Sequence, residues 1–335
     1  MMTIGNADVR KTEDWLLERD DPGVRYLALR DLCLDESGAL KERKRAHTDG
    51  PIAVILGKMK PDGYWVAPGA GYSPKYTSTI WSIIHLAQLG GSIRADKRIV
   101  RACEYLLGHS YAAGGQFSLS GAPSGTVDCL QGNLCWALAV LGCEDKRLDN
   151  AYDWLARSIT GEGIAPADEK DAERRFFSAK CGPGFTCGYN YKNPCAWGAA
   201  KAMRAFSAVP KRERDPQMKR AVEQGVKFLF SVDPAAASYP SPTGGKPSPN
   251  WWKFGFPVFY ITDILQTVEV LSALGFGEDR RLENAVRLIE GKRNKEGKWL
   301  LEYDYSGKCW VNYGAKGKPN KWVTLRALRG LGIIA

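Results

Sequence analysis

The chain has 335 residues, 44% of them hydrophobic and 25% charged, with 47 Lys and Arg against 37 Asp and Glu for a formal net charge of +10. That apolar content is ample for a packed core, and the absence of any uncharged apolar run of roughly 18 residues argues against a membrane span. Nucleic acid is not the expected partner either. The bases fall in short clusters at 41–45, 211–214, 292–295 and 316–321, most of them broken by acids, without a recognisable nucleic-acid-binding motif. They read as a solvated rim that could steer acidic molecules.

In chain order, the N-terminal stretch lacks a charged-then-apolar signal, so a cytoplasmic protein is expected. Residues 8–19 form an amphipathic segment, and a short apolar helical pattern follows at 24–32. Residues 50–59 precede a nearly all-apolar helix at 76–89, stopped by Gly90, and then an amphipathic one at 96–108. The same alternation returns as 128–141 (stopped by Gly142) with 146–159, 194–207 with 215–230, and 260–274 with about 280–292. A last apolar helix covers 321–331. In the partner at 280–292, Leu282, Ala285, Val286, Leu288 and Ile289 fall three and four apart, the spacing of a one-sided helix. A hairpin of one buried and one half-exposed helix cannot cover its own apolar face and needs neighbours. Six inner and about six outer helices, with 8–19 left to cover the last, predict an all-α chain: one α/α toroid domain over 1–335.

The turns between the hairpins carry a family resemblance. Asp62-Gly63-Tyr64-Trp65 and Glu296-Gly297-Lys298-Trp299 each follow an outer helix, as does Gly114-Gly115-Gln116-Phe117 more loosely. They resemble the Gln-x-x-x-Gly-x-Trp turns of the squalene cyclase and protein prenyltransferase repeat superfamily, with Met59 and Arg293 at the Gln position. The resemblance implies a terpenoid cyclase-like toroid. It does not extend to the catalytic signatures: the Asp-x-Asp-Asp acid of class II cyclases is missing, since Asp20-Asp21 lacks the third carboxylate, and so is the Asp-Asp-x-x-Asp metal motif of class I. The prenyltransferases hold zinc with Asp, Cys and His; Asp128-Cys129 has the wrong spacing for that pair, and no His follows His109. His47 and His85 are poorly placed as substitutes.

Nine scattered cysteines read mainly as small core hydrophobes. Cys129, Cys181, Cys187 and Cys195 are the weak alternative, a structural zinc site, but no Cys-x-x-Cys supports it. No metal and no cofactor are expected.

Two long interruptions, at about 161–192 and 232–256, both precede inner helices and should lie over one mouth of the ring; loops this long in a compact domain tend to be functional. Polar groups recur at the inner-helix starts, among aromatics, as in a small-molecule pocket. The expected binding residues are Tyr72, Lys75, Tyr76, Tyr189, Tyr191, Trp251, Trp252, Tyr260, Tyr305 and Lys321. Asp263, one turn into an apolar helix, is the first candidate acid or base, because a carboxylate there must be paired, protonated or wet. Its alternative is a helix-start carboxylate held by free backbone N–H groups. Asp128 is the second candidate, with Thr-Val-Asp before a helix also readable as an N-cap.

The expected function is an enzyme acting on a small, partly apolar and possibly anionic molecule by acid–base chemistry, cyclase-, lyase- or isomerase-like, without a nucleotide cofactor. A non-catalytic ligand- or peptide-binding toroid is one alternative. A carbohydrate-processing enzyme is another, with Trp251 and Trp252 stacking and Glu302 or Asp304 as the second carboxylate.

Overall fold

A computed structural model describes residues 6–177, 180–241, 244 and 247–332, with side chains of the first helix described from residue 11. The architecture is mostly helical, with only short β pairings. Among the described residues, no helix is long and apolar enough to cross a membrane. The apolar segments become α2 (Pro22–Asp31), α5 (Thr79–Gln88), α7 (Asp128–Leu141), α9 (Ala196–Ser207), α11 (Ile264–Leu271) and α13 (Lys321–Gly330). Their amphipathic partners are α1 (Asn6–Leu16), α4 (Pro51–Gly57), α6 (Lys97–His109), α8 (Lys146–Thr160), α10 (Pro216–Leu229) and α12 (Glu283–Gly291). One further helix, α3 (Glu36–Thr48), packs against α2 and α4.

The inner helices follow one another side by side: α5 on α7, α7 on α9, α9 on α11, α11 on α13 and α13 on α2. The turn after α5 comes back to α2, where a side chain on Gly90 would lie 2.6 Å from the Tyr26 ring. α1 lies against α13 and α2, with Leu16 fully buried. The tightest crossing is α7 on α9. A Cβ on Gly132 would sit 2.4 Å from the Lys201 carbonyl, so the backbones meet where only glycine fits.

Three turns repeat one construction. Gly63, Gly115 and Gly297 each adopt positive φ, which glycine tolerates without steric cost. In each turn the glycine N–H donates three residues back, to Lys60, Ala112 and Asn294 respectively. The aromatic two residues on, Trp65, Phe117 or Trp299, is fully buried. Its N–H is taken by a side chain of the next inner helix: Thr79 Oγ1 at 3.1 Å, Gln131 Oε1 at 2.7 Å and Thr324 Oγ1 at 3.0 Å. The two indoles also donate to the preceding outer segment, at Ile55 O and Ile289 O. Each turn therefore pins an outer helix to the inner helix that follows.

The helix at 260 begins later than the sequence reading placed it. Residues 258–262 are non-helical and Asp263 is the N-cap of α11, its side chain accepting from the Gln266 N–H at 2.6 Å. Not all the base lies on a rim, either. Lys201, Arg214 and Arg326 are buried; Lys201 Nζ donates to Gln266 Oε1 at 2.5 Å, and burial lowers its pKa well below the usual lysine range.

Candidate functional site

A cavity of about 920 Å³ opens at the N-terminal ends of α7 and α9. Asp128 and Cys129 from the first turn of α7, and Ala196, Trp197 and Gly198 from that of α9, form its inner wall. Tyr72 and Lys75 come from the segment before α5, and Tyr260 from that before α11. Both long interruptions reach it, the first through Cys187, Tyr189 and Asn190, the second through Tyr239, Pro249 and Trp251. Asn190 ties the two together, its Nδ2 donating to Pro194 O at 2.9 Å and Pro240 O at 3.0 Å.

Asp128 is buried, 5% exposed. It is the first residue of α7, capped by Val127 rather than by Asp128 itself. Its carboxyl accepts from Ser158 Oγ at 3.2 Å, and no ion pair to it is present among the described residues. Burial pushes its pKa from 3.8 up to about 8; the Ser158 bond works against that rise and the nearby Cys187 sulfur adds to it. The group is therefore a neutral carboxylic acid at pH 7, able to donate a proton into a cavity lined mostly by aromatic, aliphatic and cysteine side chains.

Lys75 is the cation of the rim. Its Nζ lies 5.1 Å from the Tyr72 ring centroid and 4.7 Å from that of Tyr260, a geometry that holds an ammonium by the ring faces. Burial raises the Tyr72 hydroxyl to about 12, so it stays a hydrogen-bond donor. Trp197 packs edge-on against Tyr260, with centroids 5.8 Å apart.

Asp263 lies elsewhere. It does not line the cavity; Arg326 grips both its oxygens, at 2.9 and 3.0 Å, in a pair that is almost wholly buried. The same guanidinium reaches Glu269 at 2.8 Å and Gly255 O at 2.7 Å. Asp263 thus caps a helix and neutralises a buried arginine, and both oxygens are engaged.

The other expected binding residues divide. Tyr72, Lys75, Tyr189, Trp251 and Tyr260 line the cavity. Tyr76 and Tyr305 pack instead against each other and Phe259, with centroids 4.3–5.0 Å apart. Tyr191 is 77% exposed on the outside of its loop. The Trp252 indole donates to Ala235 O, and Lys321 pairs with Glu18 and Asp20. Glu302 is bound to Lys292 at 2.7 Å and Asp304 to Lys316 at 3.5 Å, both away from the cavity.

Cys129, Cys187 and Cys195 all reach the cavity. Cys181 lies in a separate apolar cluster with Trp154, Ile164 and Phe176. Among the described residues, no three His, Cys, Asp or Glu side chains converge in a way that could hold a metal ion.

No family model matches the chain, and no curated protein matches it. Among solved structures it is similar to a protein from Actinoplanes, over 98% of both chains, with a TM-score of 0.46 and 16% identity. A substrate complex of a variant of the type II terpene cyclase MstE from Scytonema, with geranylgeranyl dihydroxybenzoate, aligns over 88% of this chain and 72% of its own, with a TM-score of 0.45 and 14% identity. The apo form of that cyclase aligns over 87% and 96%, with a TM-score of 0.30 and 13% identity. Similarity at this level assigns neither family nor activity.

Proposed function

We infer that the chain is a single α/α toroid whose mouth cavity is the active site of a small-molecule enzyme using general-acid chemistry, with Asp128 as the acid. One observation carries this reading: a carboxyl group kept neutral by burial, without a counter-ion, on the wall of an apolar cavity. Structural carboxylates take the opposite arrangement, as Asp263 does with Arg326. A proton held at about 8 is available at pH 7 for an oxygen or carbanionic carbon that gains negative charge in a substrate resting on Tyr72, Trp197 and Tyr260. Lys75 at the rim fits an anionic end of that molecule. Isomerisation and addition reactions each include a step in which such an acid delivers a proton.

A glycosidase reading has less support, because Glu302 and Asp304 are spent on lysines outside the cavity and the Trp252 indole edge is already bonded.

The test is to capture the ligand from a cell extract on the purified protein, identify it by mass spectrometry, and compare the wild type with D128N. The variant should bind the captured molecule with a Kd within about threefold of wild type. It should convert it at least ~100-fold more slowly. Unchanged conversion by D128N would overturn the assignment.

A further inference from the structure

The inner helices carry five arginines: Arg25 and Arg30 on α2, Arg204 on α9, and Arg326 and Arg329 on α13. Four of them meet an acid. Arg25 reaches Glu42 at 3.2 Å, Arg30 and Arg329 share Asp31, and Arg326 holds Asp263 and Glu269. Arg204 is the exception. Its Cζ lies 3.4 Å from the Trp136 ring centroid, so the guanidinium rests on the indole face. Among the described residues it has neither an ion pair nor a hydrogen-bond acceptor. Nη1 is buried without a partner, whereas Nε and Nη2, equally without an acceptor, are not enclosed. The ring face and the C-terminal end of α9 both favour a cation. Burial brings the guanidinium from 12.5 down to about 9, with Glu269 opposing the fall, so it is charged at pH 7. Neither the ring nor the dipole, however, accepts an N–H in the plane of the group. A flat fork of donors whose charge is held and whose hydrogen bonds are unmade suits an oxyanion.

We propose that Arg204, seated on Trp136, is a binding site for a small organic oxyanion, a carboxylate or phosphate monoester whose apolar body rests against Trp136 and Val140. Trp136 is only half-buried. Val140, one turn on and on the same face of α7, is 42% exposed although α7 is otherwise largely buried. An exposed apolar strip therefore adjoins the open Nε–Nη2 edge. The acids of the neighbourhood are already committed, Glu269 to Arg326 and Asp31 to Arg30 and Arg329, which leaves the fork to an anion from outside. The site is separate from the cavity. Arg204 and Trp136 lie about 12 Å farther along α9 and α7 than the cavity-wall residues Ala196 and Asp128, and the backbone crossing of Gly132 on Lys201 stands between them. It holds whether or not Asp128 is an acid.

Indole N–H resonances of the full chain, isotope-labelled at tryptophan, give a local readout, with the Trp136 signal identified by its loss in W136F. Benzoate and phenyl phosphate are the probes, titrated against chloride at matched ionic strength. Each should shift the Trp136 signal saturably, chloride should not, and the tighter of the two names the head group. R204M should weaken the response at least ~10-fold, with the other indole signals unmoved as the check that the fold is kept. R204K keeps the charge but loses the fork, and should weaken it at least ~3-fold. V140S should weaken both probes by about twofold to threefold through the lost apolar contact. K75M removes the cavity cation and should leave the Trp136 response within twofold. A Trp136 signal that ignores both probes overturns the site. So does one that follows them equally in wild type and R204M, or one that is lost in K75M.

Discussion

Replacing Asp128 by Asn should make the protein more stable at neutral pH, and increasingly so as pH rises. The acid has a folded value of about 8 against 3.8 for the model group. Between these limits the folded state holds a proton that the unfolded chain has released, so wild-type stability falls as pH rises through the window and is fullest below about 4. At ~1.4 kcal/mol per unit, the loss between pH 4 and pH 7 is at most ~4 kcal/mol. Asn keeps an oxygen for Ser158 Oγ and has no charge to bury, but its amide N–H groups lose water, at a cost of about 1–2 kcal/mol. The net expectation is near equality with wild type at about pH 4.5 and a gain of roughly 3–4 kcal/mol at about pH 7.5. Urea unfolding at three pH values, with the m-value checked for constancy, reads this directly. A D128N–wild-type difference that does not change with pH, or that moves against the variant as pH rises, would refute a neutral buried acid.

Asp263 should behave in the opposite way. D263N retains the N-cap oxygen but strips half the charge from a buried pair, so a loss of about 2–4 kcal/mol is expected in urea, softened by the remaining Glu269 contact to Arg326; a D263N that is as stable as wild type but inactive would return Asp263 to the chemistry. Gly132→Ala should cost about 2–3 kcal/mol by overpacking the α7–α9 crossing, checked by thermal unfolding, and an unchanged melting temperature would mean the helices do not meet there. His85 is fully buried with Nε2 2.6 Å from Tyr313 Oη, and burial holds it neutral, down at about 3. The unfolded chain therefore takes up a proton below about 6.5 that the folded one refuses. Wild type should lose roughly 2–3 kcal/mol between pH 6.5 and 4.5, a loss absent from H85Q in matched urea titrations.

The helices were legible because burial on most sides leaves a simple trace: long apolar runs ended by Gly90 and Gly142, each followed by a one-sided partner. The Gly-x-Trp turns were legible because a positive-φ glycine and a buried indole are fixed in sequence. α3 left no such trace. It buries only Ala39, Glu42, Ala46 and His47, so its thirteen residues read as a basic cluster. The two aspartates were harder still. Asp263 looked unexplained because its partner Arg326 lies 63 residues on, and nothing local announces it. Asp128 looked like a cap because it opens a helix, yet its carboxyl turns to Ser158 and the cavity. The ribbon of Thr186–Cys187 and Asn193–Pro194 is too short for any apolar period to encode. Lys201, inside an Ala-rich helix, gave no signal of its own.

The contrast between the two carboxylates follows from which free energy dominates at each place. Both stand at or beside a helix N-terminus, where the peptide dipoles favour an anion by about 0.3–1 kcal/mol, up to ~2 in partly buried settings. For Asp128 that benefit is set against a shift of about four units, worth roughly 5–6 kcal/mol, so burial prevails and the proton stays. At Asp263 the guanidinium of Arg326 supplies two charge-assisted hydrogen bonds at 2.9 and 3.0 Å, each stronger than a neutral one. The arginines of this interior cluster lie farther along their helices: Arg204 on α9, over Trp136 at 3.4 Å, and Arg326 and Arg329 on α13, facing Glu269 and Asp31. Cations toward helix C-termini are favoured by the same dipoles. Arg326 and Arg329 are thus paired with carboxylates, whereas Asp128 has no ion pair among the described residues, and Lys75 at the cavity rim is held by the Tyr72 and Tyr260 rings. Placing an arginine beside Asp128, as in Gly198→Arg, should bring the carboxyl down toward the ordinary carboxylate range and abolish proton donation at neutral pH. If conversion of the captured ligand survived in a folded G198R, a neutral acid would not be what the reaction uses.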